Sequence, residues 1–258
     1  MHVLSTHGAD VLTRLAWADV LLAFDFDGTL APIVEARDDA RMRARTRSLL
    51  GRVSARYPCA VISGRGRDDV ARRLEGITVP YVIGNHGLEP GQRLEAFARE
   101  VDLIRPLLEA SLQDQGGVDI EDKRYSLAIH YRRARAKREA RARIRAAIES
   151  LPVEVRVIAG KLVINVLPKG APNKGDALLA VRAQARADVA LYVGDDVTDE
   201  DVFELDQPGR LVSVRVGRSR TSAASYFLRD QREMDALLER LVALRSTPTT
   251  PAVKGPEP

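Results

Sequence analysis

The strongest signal for the fold is one stretch near the start of the chain, Val20-Leu21-Leu22-Ala23-Phe24-Asp25-Phe26-Asp27-Gly28-Thr29-Leu30. Its first five residues are all apolar, and a continuous apolar run of this length is typical of a strand covered on both faces, as in a parallel sheet. Two carboxylates and a glycine follow where that strand would end, and the glycine lets the backbone turn towards a ligand. The stretch therefore predicts a functional site at the carboxyl end of a buried strand.

A calcium-binding loop and an ordinary turn are two simpler explanations of this stretch. A calcium-binding EF-hand loop that begins at Asp25 requires Gly at residue 30 and Glu at residue 36. The chain has Leu30 and Ala36 at these positions, which excludes the EF-hand. An ordinary turn stays open for the stretch taken alone.

Outside the middle of the chain, strand patterns alternate with helix patterns. Further strands are predicted at residues 59–62, 81–83, 189–193 and 211–216, and helices at 41–56, 68–75, 176–186, 200–205 and 231–244. Such alternation predicts a doubly wound, Rossmann-like α/β sheet, in which ligands bind at the carboxyl ends of the strands.

The middle of the chain follows a different order, helix, hairpin, helix, hairpin. These elements are predicted at residues 94–112, 118–123, 126–131, 134–148, 153–158 and 162–167, with the last turn at Ala159-Gly160. The order predicts a small α+β cap inserted between the halves of the core. We therefore expect a core of residues 1–89 and 168–246, a cap of residues 90–167, and a disordered Pro-rich tail at 247–258.

Composition is that of an ordinary globular protein, with 45% apolar and 29% charged residues. The net charge of +4 is small against 40 basic and 36 acidic side chains, so it is only a mild bias towards anionic ligands. The single cysteine, Cys59, fits a reducing compartment, and no apolar run is long enough for a signal peptide or a membrane span. We expect a cytoplasmic protein, monomeric and without a membrane partner.

Three other places in the sequence supply polar groups at strand ends or helix starts. Ser63 opens Ser63-Gly64-Arg65 after a predicted strand, although such a serine is often only a helix cap. Lys174 stands at a helix start, where a cation is slightly unfavourable unless it faces an anion. The third is the acidic run Gly194 to Asp201, in which Thr198 and Asp201 resemble a capping box, while Asp195 and Asp199 are not explained by capping alone.

Together these residues resemble the four motifs of the haloacid dehalogenase superfamily of phosphotransferases, in the expected order. The resemblance implies that Asp25 is a nucleophile that forms an aspartyl phosphate and that Asp27 is the general acid and base. It implies a Mg²⁺ ion held by Asp25, Asp195 and the backbone carbonyl of Asp27, with Asp199 in support. It also implies a set of phosphate-binding residues: Thr29, Ser63, Gly64, Arg65 and Lys174.

The predicted cap strands have one apolar and one polar face, because alternate residues of a strand share a face. The apolar faces need cover from the two cap helices, and the polar faces would then face the cleft over Asp25. A solvent-exposed sheet face is the plainer alternative for each polar residue. Carboxylate, ammonium, imidazole and guanidinium groups on one surface suit a ligand with many hydroxyl groups, such as a sugar.

The sequences of several segments resemble those of trehalose-6-phosphate phosphatases, over about residues 20 to 240. The segments are Gly84-Asn85-His86-Gly87-Leu88-Glu89, Glu121-Asp122-Lys123, His130-Tyr131-Arg132, Gly160-Lys161 and the acidic run from Gly194 to Asp201. This resemblance implies a sugar phosphatase that releases trehalose. The implied sugar-binding residues are His86, Glu121, Lys123, His130, Arg132 and the residue at position 165.

The chain departs from that family at two positions. Asn165 stands where the family usually has Glu, and Leu167 stands where it usually has a basic residue. The loss of a charged hydrogen-bond partner for a sugar hydroxyl weakens the binding free energy by about 1.5–3 kcal/mol. Another sugar or disaccharide phosphate is therefore the alternative substrate.

Two alternatives from other classes are weaker. A receiver domain also clusters Asp, Ser and Lys around Mg²⁺, but such domains are about half this length and have no cap. The Arg-rich segment 132–145 could bind nucleic acid, yet Ile144 and Ile148 lie at helical spacing and the basic residues occupy the other faces. No aromatic side chains are interleaved as stacking platforms, so nucleic-acid binding is not expected.

Overall fold

The computed structural model describes residues 1–34, 37–160, 162–205 and 207–246, with the Arg37 side chain left aside. Its larger sheet has six parallel strands in the order β10-β9-β8-β1-β2-β3. Their bounds are β1 Val20–Phe24, β2 Cys59–Ile62, β3 Tyr81–Ile83, β8 Val189–Gly194, β9 Leu211–Val216 and β10 Tyr226–Leu228. The chain builds β2 and β3 on one side of β1 and then β8, β9 and β10 on the other. The strand order thus reverses between β1 and β8, the place where ligands bind in open α/β sheets.

Helices cover both faces of this sheet. They are α1 Thr6–Ala16, α2 Ala44–Ser54, α3 Arg67–Arg73, α6 Lys174–Gln184, α7 Glu200–Phe203 and α8 Glu233–Leu244. Leu22 and Phe24 of β1 pack with α1, α2 and α8, whereas Leu21 and Ala23 pack with α6 and α7. Successive side chains of β1 therefore enter two different apolar layers, which is why the whole run has to be apolar.

The second sheet is antiparallel and is inserted between β3 and β8. Its four strands have the order β4-β5-β7-β6, with β4 Asp119–Asp122, β5 Leu127–His130, β6 Val155–Gly160 and β7 Val163–Pro168. Two helices, α4 Leu94–Leu112 and α5 Lys137–Glu149, cover one face of it. Leu127, Ile129 and Ile164 pack against these helices, as the alternation along the predicted cap strands indicates.

Most predicted elements are present, with shifted ends. The predicted turn at Ala159-Gly160 is wrong, because both residues still belong to β6 and Gly160 pairs with Val163. The chain turns between Gly160 and Val163, and Leu162 has φ of +63°, while Lys161 lies outside the described residues. Helix α6 begins two residues earlier than predicted because Asn173 and Asp176 form a capping box.

Two elements were not predicted at all, α1 and β10. A signal for α1 exists in the sequence, since the Ser5 side chain accepts a hydrogen bond from Gly8 N at the start of that helix. The expected disordered tail at residues 247–258 lies outside the described residues. Among the described helices, none combines the length and the apolar character that a membrane crossing needs.

Candidate active site

Three strand ends meet at the point where the strand order reverses. Asp25 follows β1, Ser63 follows β2 and Asp195 follows β8. Asp25 N donates to Val193 O, 2.9 Å away, so the first strand remains paired with β8 up to the functional residue. The predicted meeting of these residues at one edge of the sheet is therefore seen in the structure.

Lys174 connects the strand ends to the first turn of α6. Its Nζ donates to Asp25 Oδ1 at 2.8 Å and to Asp199 Oδ1 at 2.7 Å, and the side chain is buried. Burial alone would lower the pKa of Lys174, but the two carboxylates raise it well above its usual value. The lysine stays charged, as expected for a cation that faces anions at a helix start.

Asp199 is completely buried, and hydrogen bonds occupy both of its oxygens. Oδ1 accepts from Lys174 and, at 2.6 Å, from the Tyr192 hydroxyl, while Oδ2 accepts from the backbone N–H groups of Asp195 and Asp196. The capping box of this turn is formed by Asp196 and Asp199, so the predicted box of Thr198 and Asp201 is wrong. Asp199 therefore holds the acidic loop and Lys174 in place.

The carboxylates at this edge carry more negative charge than Lys174 balances. Oxygens of Asp25, Asp195 and Asp199 lie within 4.8 Å of one another. Burial, together with repulsion by Asp199, raises the pKa of Asp195 to about 7. Burial likewise raises the pKa of Asp25, although Lys174 opposes the shift. Carboxylate oxygens are hard ligands, and here their negative charge exceeds the positive charge nearby, so the cluster fits a divalent cation.

Thr29, predicted to bind phosphate, lies beside this cluster. Its hydroxyl donates to Asp195 Oδ1 at 3.4 Å, and the side chain is fully buried. Ser63 is also buried, and its Oγ accepts from the backbone N–H of Arg65. Both hydroxyls thus have protein partners that fix them next to Asp25 and Asp195.

The Asp27 carboxylate contacts Arg65. Arg65 Nε donates to Asp27 Oδ2 at 2.6 Å, and Nη2 donates to Asp27 Oδ1 at 2.7 Å. This is the two-bond fork that guanidinium groups form with carboxylates. Arg65, predicted to bind phosphate, therefore contacts Asp27 directly in the structure.

Two glycines of the site are required by close approaches. Gly28 has φ of +84°, and a Cβ there would lie 2.1 Å from Asp195 Oδ2. A Cβ on Gly64 would lie 2.5 Å from Cε1 of the buried His86 ring. His86 itself has φ of +59° and is held against the strand end by its backbone N–H, which donates to Ser63 O.

The polar face of the second sheet closes the cleft from the opposite side. Lys123 Nζ donates to Gly64 O at 3.1 Å and to Asn165 Oδ1 at 3.5 Å. His130 Nε2 lies 2.9 Å from Glu121 Oε2. The Ser126 hydroxyl, just before β5, donates to Asn85 Oδ1, just after β3, so a buried hydrogen bond also joins the inserted segment to the core.

One cleft of about 370 Å³ brings most of the predicted residues together. Its lining includes Asp25, Asp27, Gly64, Arg65, His86, Lys123, His130, Arg132, Asn165, Lys174 and Asp195. The remaining predicted residues, Thr29, Ser63, Glu121 and Asp199, reach this lining through the contacts given above. Leu167 is different, because it is buried with Leu88, Phe97 and Tyr125 in a small apolar cluster.

Two residues of the network were not predicted. Tyr192 lies inside the apolar run of β8, where the phenol cannot be distinguished from a core aromatic. Asp69 accepts from Arg65 Nη1 at 2.9 Å and lies in an ordinary-looking acidic first turn of α3. Neither has a sequence signal beyond its side-chain type.

The doubly wound parallel core with an inserted antiparallel sheet is the fold of haloacid dehalogenase-type proteins. Residues 23–232 match the family model described as trehalose-phosphatase, and the chain belongs to this family.

Named relatives agree with this assignment. The chain is 35% identical over 221 residues to a trehalose-phosphate phosphatase of Mycobacterium tuberculosis, covering 77% of this chain and 56% of that protein. It is 30% identical over 252 residues to a trehalose 6-phosphate phosphatase of Zea mays, covering 86% and 69%. The chain thus spans little more than half the length of its mycobacterial relative.

Among solved structures, the C-terminal domain of the Candida albicans trehalose-6-phosphate phosphatase superimposes with a TM-score of 0.77. The two sequences are 22% identical, and the match covers 91% of this chain and 96% of the other. At this identity the likeness shows that the fold is shared.

Proposed function

We propose that the chain is a magnesium-dependent phosphatase that hydrolyses trehalose 6-phosphate through an aspartyl phosphate on Asp25. The observation that carries the proposal is the buried contact between Lys174 Nζ and Asp25 Oδ1 at the strand reversal. An ammonium there offsets the repulsion between a carboxylate and a phosphate, which would otherwise oppose attack. Membership of the trehalose-phosphatase family supports the choice of substrate.

The proposed reaction has two steps carried by the paired carboxylates. Asp25 attacks phosphorus, the bond to the sugar oxygen breaks, and that oxygen takes a proton from Asp27. Asp27 then removes a proton from a water molecule, which attacks phosphorus and releases phosphate from Asp25. Lys174, Ser63, Thr29, Gly64 and Arg65 are the proposed phosphate-binding residues.

We propose that Asp25, Asp195 and the backbone carbonyl of Asp27 hold Mg²⁺, with Asp199 in support. When bound, the ion would supply positive charge to the substrate phosphate and to the carboxylates around it. The raised pKa of Asp195, caused by burial and by Asp199, supports this assignment because it indicates missing positive charge.

The inserted sheet is proposed to bind the sugar, with residues 90–167 as the cap and residues 1–89 and 168–246 as the core. The candidates are His86, Glu121, Lys123, His130, Arg132 and Asn165. Their charged and amide groups on one wall of the cleft suit hydroxyl groups. The buried free thiol of Cys59 fits a reducing compartment, so we place the reaction in the cytoplasm.

Asn165 favours a second candidate substrate. Its amide oxygen is 3.5 Å from Lys123 Nζ and cannot balance that charge as a carboxylate would. A phosphatase of another sugar or disaccharide phosphate, or of a glycosylated acid, would also fit this cleft.

The test is phosphate release from trehalose 6-phosphate, glucose 6-phosphate and mannosyl-3-phosphoglycerate, with Mg²⁺ and with EDTA. We expect the largest kcat/KM for trehalose 6-phosphate and loss of turnover in EDTA. Preference for another ester would replace the substrate, and full activity in EDTA would contradict the metal assignment.

The mechanism is tested by Asp25→Asn, which should lower kcat at least about 10³-fold because the nucleophile is lost. Circular dichroism should show an unchanged fold. Asp10→Asn, a change on α1, is the matched control and should keep full activity. Turnover retained by Asp25→Asn would contradict the covalent mechanism.

A further inference from the structure

Arg65 is a nearly buried guanidinium, with 2% of its side chain exposed. A buried charge is costly unless carboxylates compensate it. Besides the fork to Asp27, its Nη1 donates to Asp69 Oδ2 at 2.9 Å. Burial would lower the pKa of Arg65, but Asp27 and Asp69 raise it above its usual value. The guanidinium thus lies between two carboxylates, one in the cleft and one behind it.

Asp69 is anchored from several sides. Its Oδ2 accepts from Arg73 Nε at 3.2 Å as well as from Arg65, and its Oδ1 accepts from Arg72 Nη2 at 3.3 Å. Burial would raise the pKa of Asp69, but the hydrogen bonds from Arg65 and Arg73 lower it. The carboxylate therefore remains charged where it meets Arg65.

Several contacts hold the helix that carries Asp69 in place. It lies in the first turn of α3, where a negative charge is favourable, and α3 begins two residues after Arg65. Val70 of the same helix is fully buried in the core. Arg73 also donates to the backbone carbonyls of Asp38 and Ala40. The position of Asp69 is thereby fixed relative to β2 and the loop after it.

We infer that Asp69 is a positioning residue that orients Asp27 through Arg65. By holding Nη1, it leaves Nε and Nη2 aimed at the two Asp27 oxygens. Asp27 is the exposed end of this chain of contacts, with 38% of its side chain accessible from the cleft. The inference rests on the proposed function, in which Asp27 gives a proton to the leaving sugar oxygen.

A positioning role through Asp27 makes a chemical prediction that a purely structural role does not. A sugar alkoxide needs a proton to leave, whereas 4-nitrophenolate leaves without one. Misplacing Asp27 should therefore slow phosphoryl transfer from the sugar ester and leave transfer from the aryl ester nearly unchanged. kcat/KM reports this first transfer for both esters.

The experiment measures kcat/KM of Asp69→Asn for trehalose 6-phosphate and for 4-nitrophenyl phosphate, with Mg²⁺ present. Asn keeps the shape and one acceptor oxygen but removes the charge that fixes Arg65. We expect about a tenfold loss on the sugar ester, typical of a catalytic group held loosely. On the aryl ester we expect less than about a twofold loss. Asp69→Glu keeps the charge and should restore most of the ratio of kcat/KM for the sugar ester to kcat/KM for the aryl ester.

Asp68→Asn is the matched control, because Asp68 is the exposed neighbour of Asp69 in the same turn, and it should leave both values unchanged. If Asp69→Asn lowers kcat/KM equally for both esters, Asp69 has only a structural role. If it lowers neither value, Arg65 is held in place without Asp69. Either result would overturn the inference. If the Asn variant fails to fold, Asp69→Ser serves for the same comparison. Absence of turnover of both esters by the unaltered protein would instead overturn the proposed function, and this inference with it.

Discussion

At the residue scale, the unequal charge around Lys174 governs how the site behaves. One ammonium faces the carboxylates of Asp25 and Asp199 directly, and Asp195 stands beside them. The Asp199 oxygens are already satisfied by the hydroxyl of Tyr192 and by backbone N–H groups. Positive charge from a cation is therefore best accommodated at Asp25 and Asp195.

Asn165 lines the cleft and is a proposed sugar-binding residue, so its substitution tests the substrate preference. Asn165→Glu places a carboxylate near Lys123 and the proposed sugar hydroxyls. We expect kcat/KM for trehalose 6-phosphate to rise about tenfold, since a hydrogen bond to a charged group is worth about 1.5–3 kcal/mol. Initial rates of phosphate release would measure it.

The control for this change is Asn165→Gln, which lengthens the side chain by the same amount without the charge. It should not raise kcat/KM. A Glu variant with unchanged or lower efficiency would favour a different sugar as the substrate.

At the element scale, the turn after β1 and the loop after β8 interlock. Gly28 has a left-handed backbone and lies against the Asp195 carboxylate, so the two strand ends can approach only where a side chain is missing. The same turn carries Asp27 and Thr29, which contact Arg65 and Asp195. Its conformation therefore positions the side chains of Asp27 and Thr29 together.

Gly28→Ala should disrupt this interlock. Its Cβ would collide with Asp195 Oδ2 at 2.1 Å, and positive φ costs a non-glycine residue about 1–3 kcal/mol. We expect a comparable loss of unfolding free energy and a higher Mg²⁺ concentration for half-maximal activity. Urea unfolding and a Mg²⁺ titration of kcat would measure them.

Gly51→Ala is the matched control, because Gly51 lies in α2 with no atom within 4 Å of its added Cβ. It should stabilise the protein by about 0.5–1 kcal/mol. Equal effects of both changes would contradict a special requirement at Gly28.

At the scale of the whole molecule, the acidic site reduces stability when no cation is bound. The pKa of Asp195 is about 7 in the folded protein, raised from 3.8 by burial and by Asp199. Between these values the folded state binds more protons than the unfolded state, so the unfolding free energy falls as pH rises. The contribution of Asp195 to the unfolding free energy is fully present below about pH 4 and is lost as the pH rises towards 7.

The metal-free protein should therefore lose up to a few kcal/mol from this carboxylate as pH rises from 5 to 8. Thermal unfolding in EDTA at the two pH values would measure the change. Mg²⁺ should raise the midpoint more at pH 8 than at pH 5, because it binds the ionised carboxylates. Asp195→Asn should remove both effects, and a Mg²⁺ shift retained by that variant would contradict the assignment.

Much of the core could be predicted because its signals are local. The apolar runs at 20–24, 59–62 and 189–193 coincide with β1, β2 and most of β8. Helix ends were less predictable, as α6 shows, because its start depends on a capping box between Asn173 and Asp176. The turn that follows Gly160 was also predicted too early, since its place is set by the pairing of β6 with β7.

The chemical groups that follow the strands could be identified from the sequence alone, because an apolar run that stops at a carboxylate is visible within a few residues. The sequence also predicted that Asp25 and Asp195 would meet, because parallel strands bring their carboxyl ends to one edge. The contacts of Arg65 with Asp27, of Asp69 with Arg65 and of Tyr192 with Asp199, and the burial of Leu167, could be seen only in the folded structure. These contacts join residues whose geometry depends on packing between separate elements, and no local pattern encodes them.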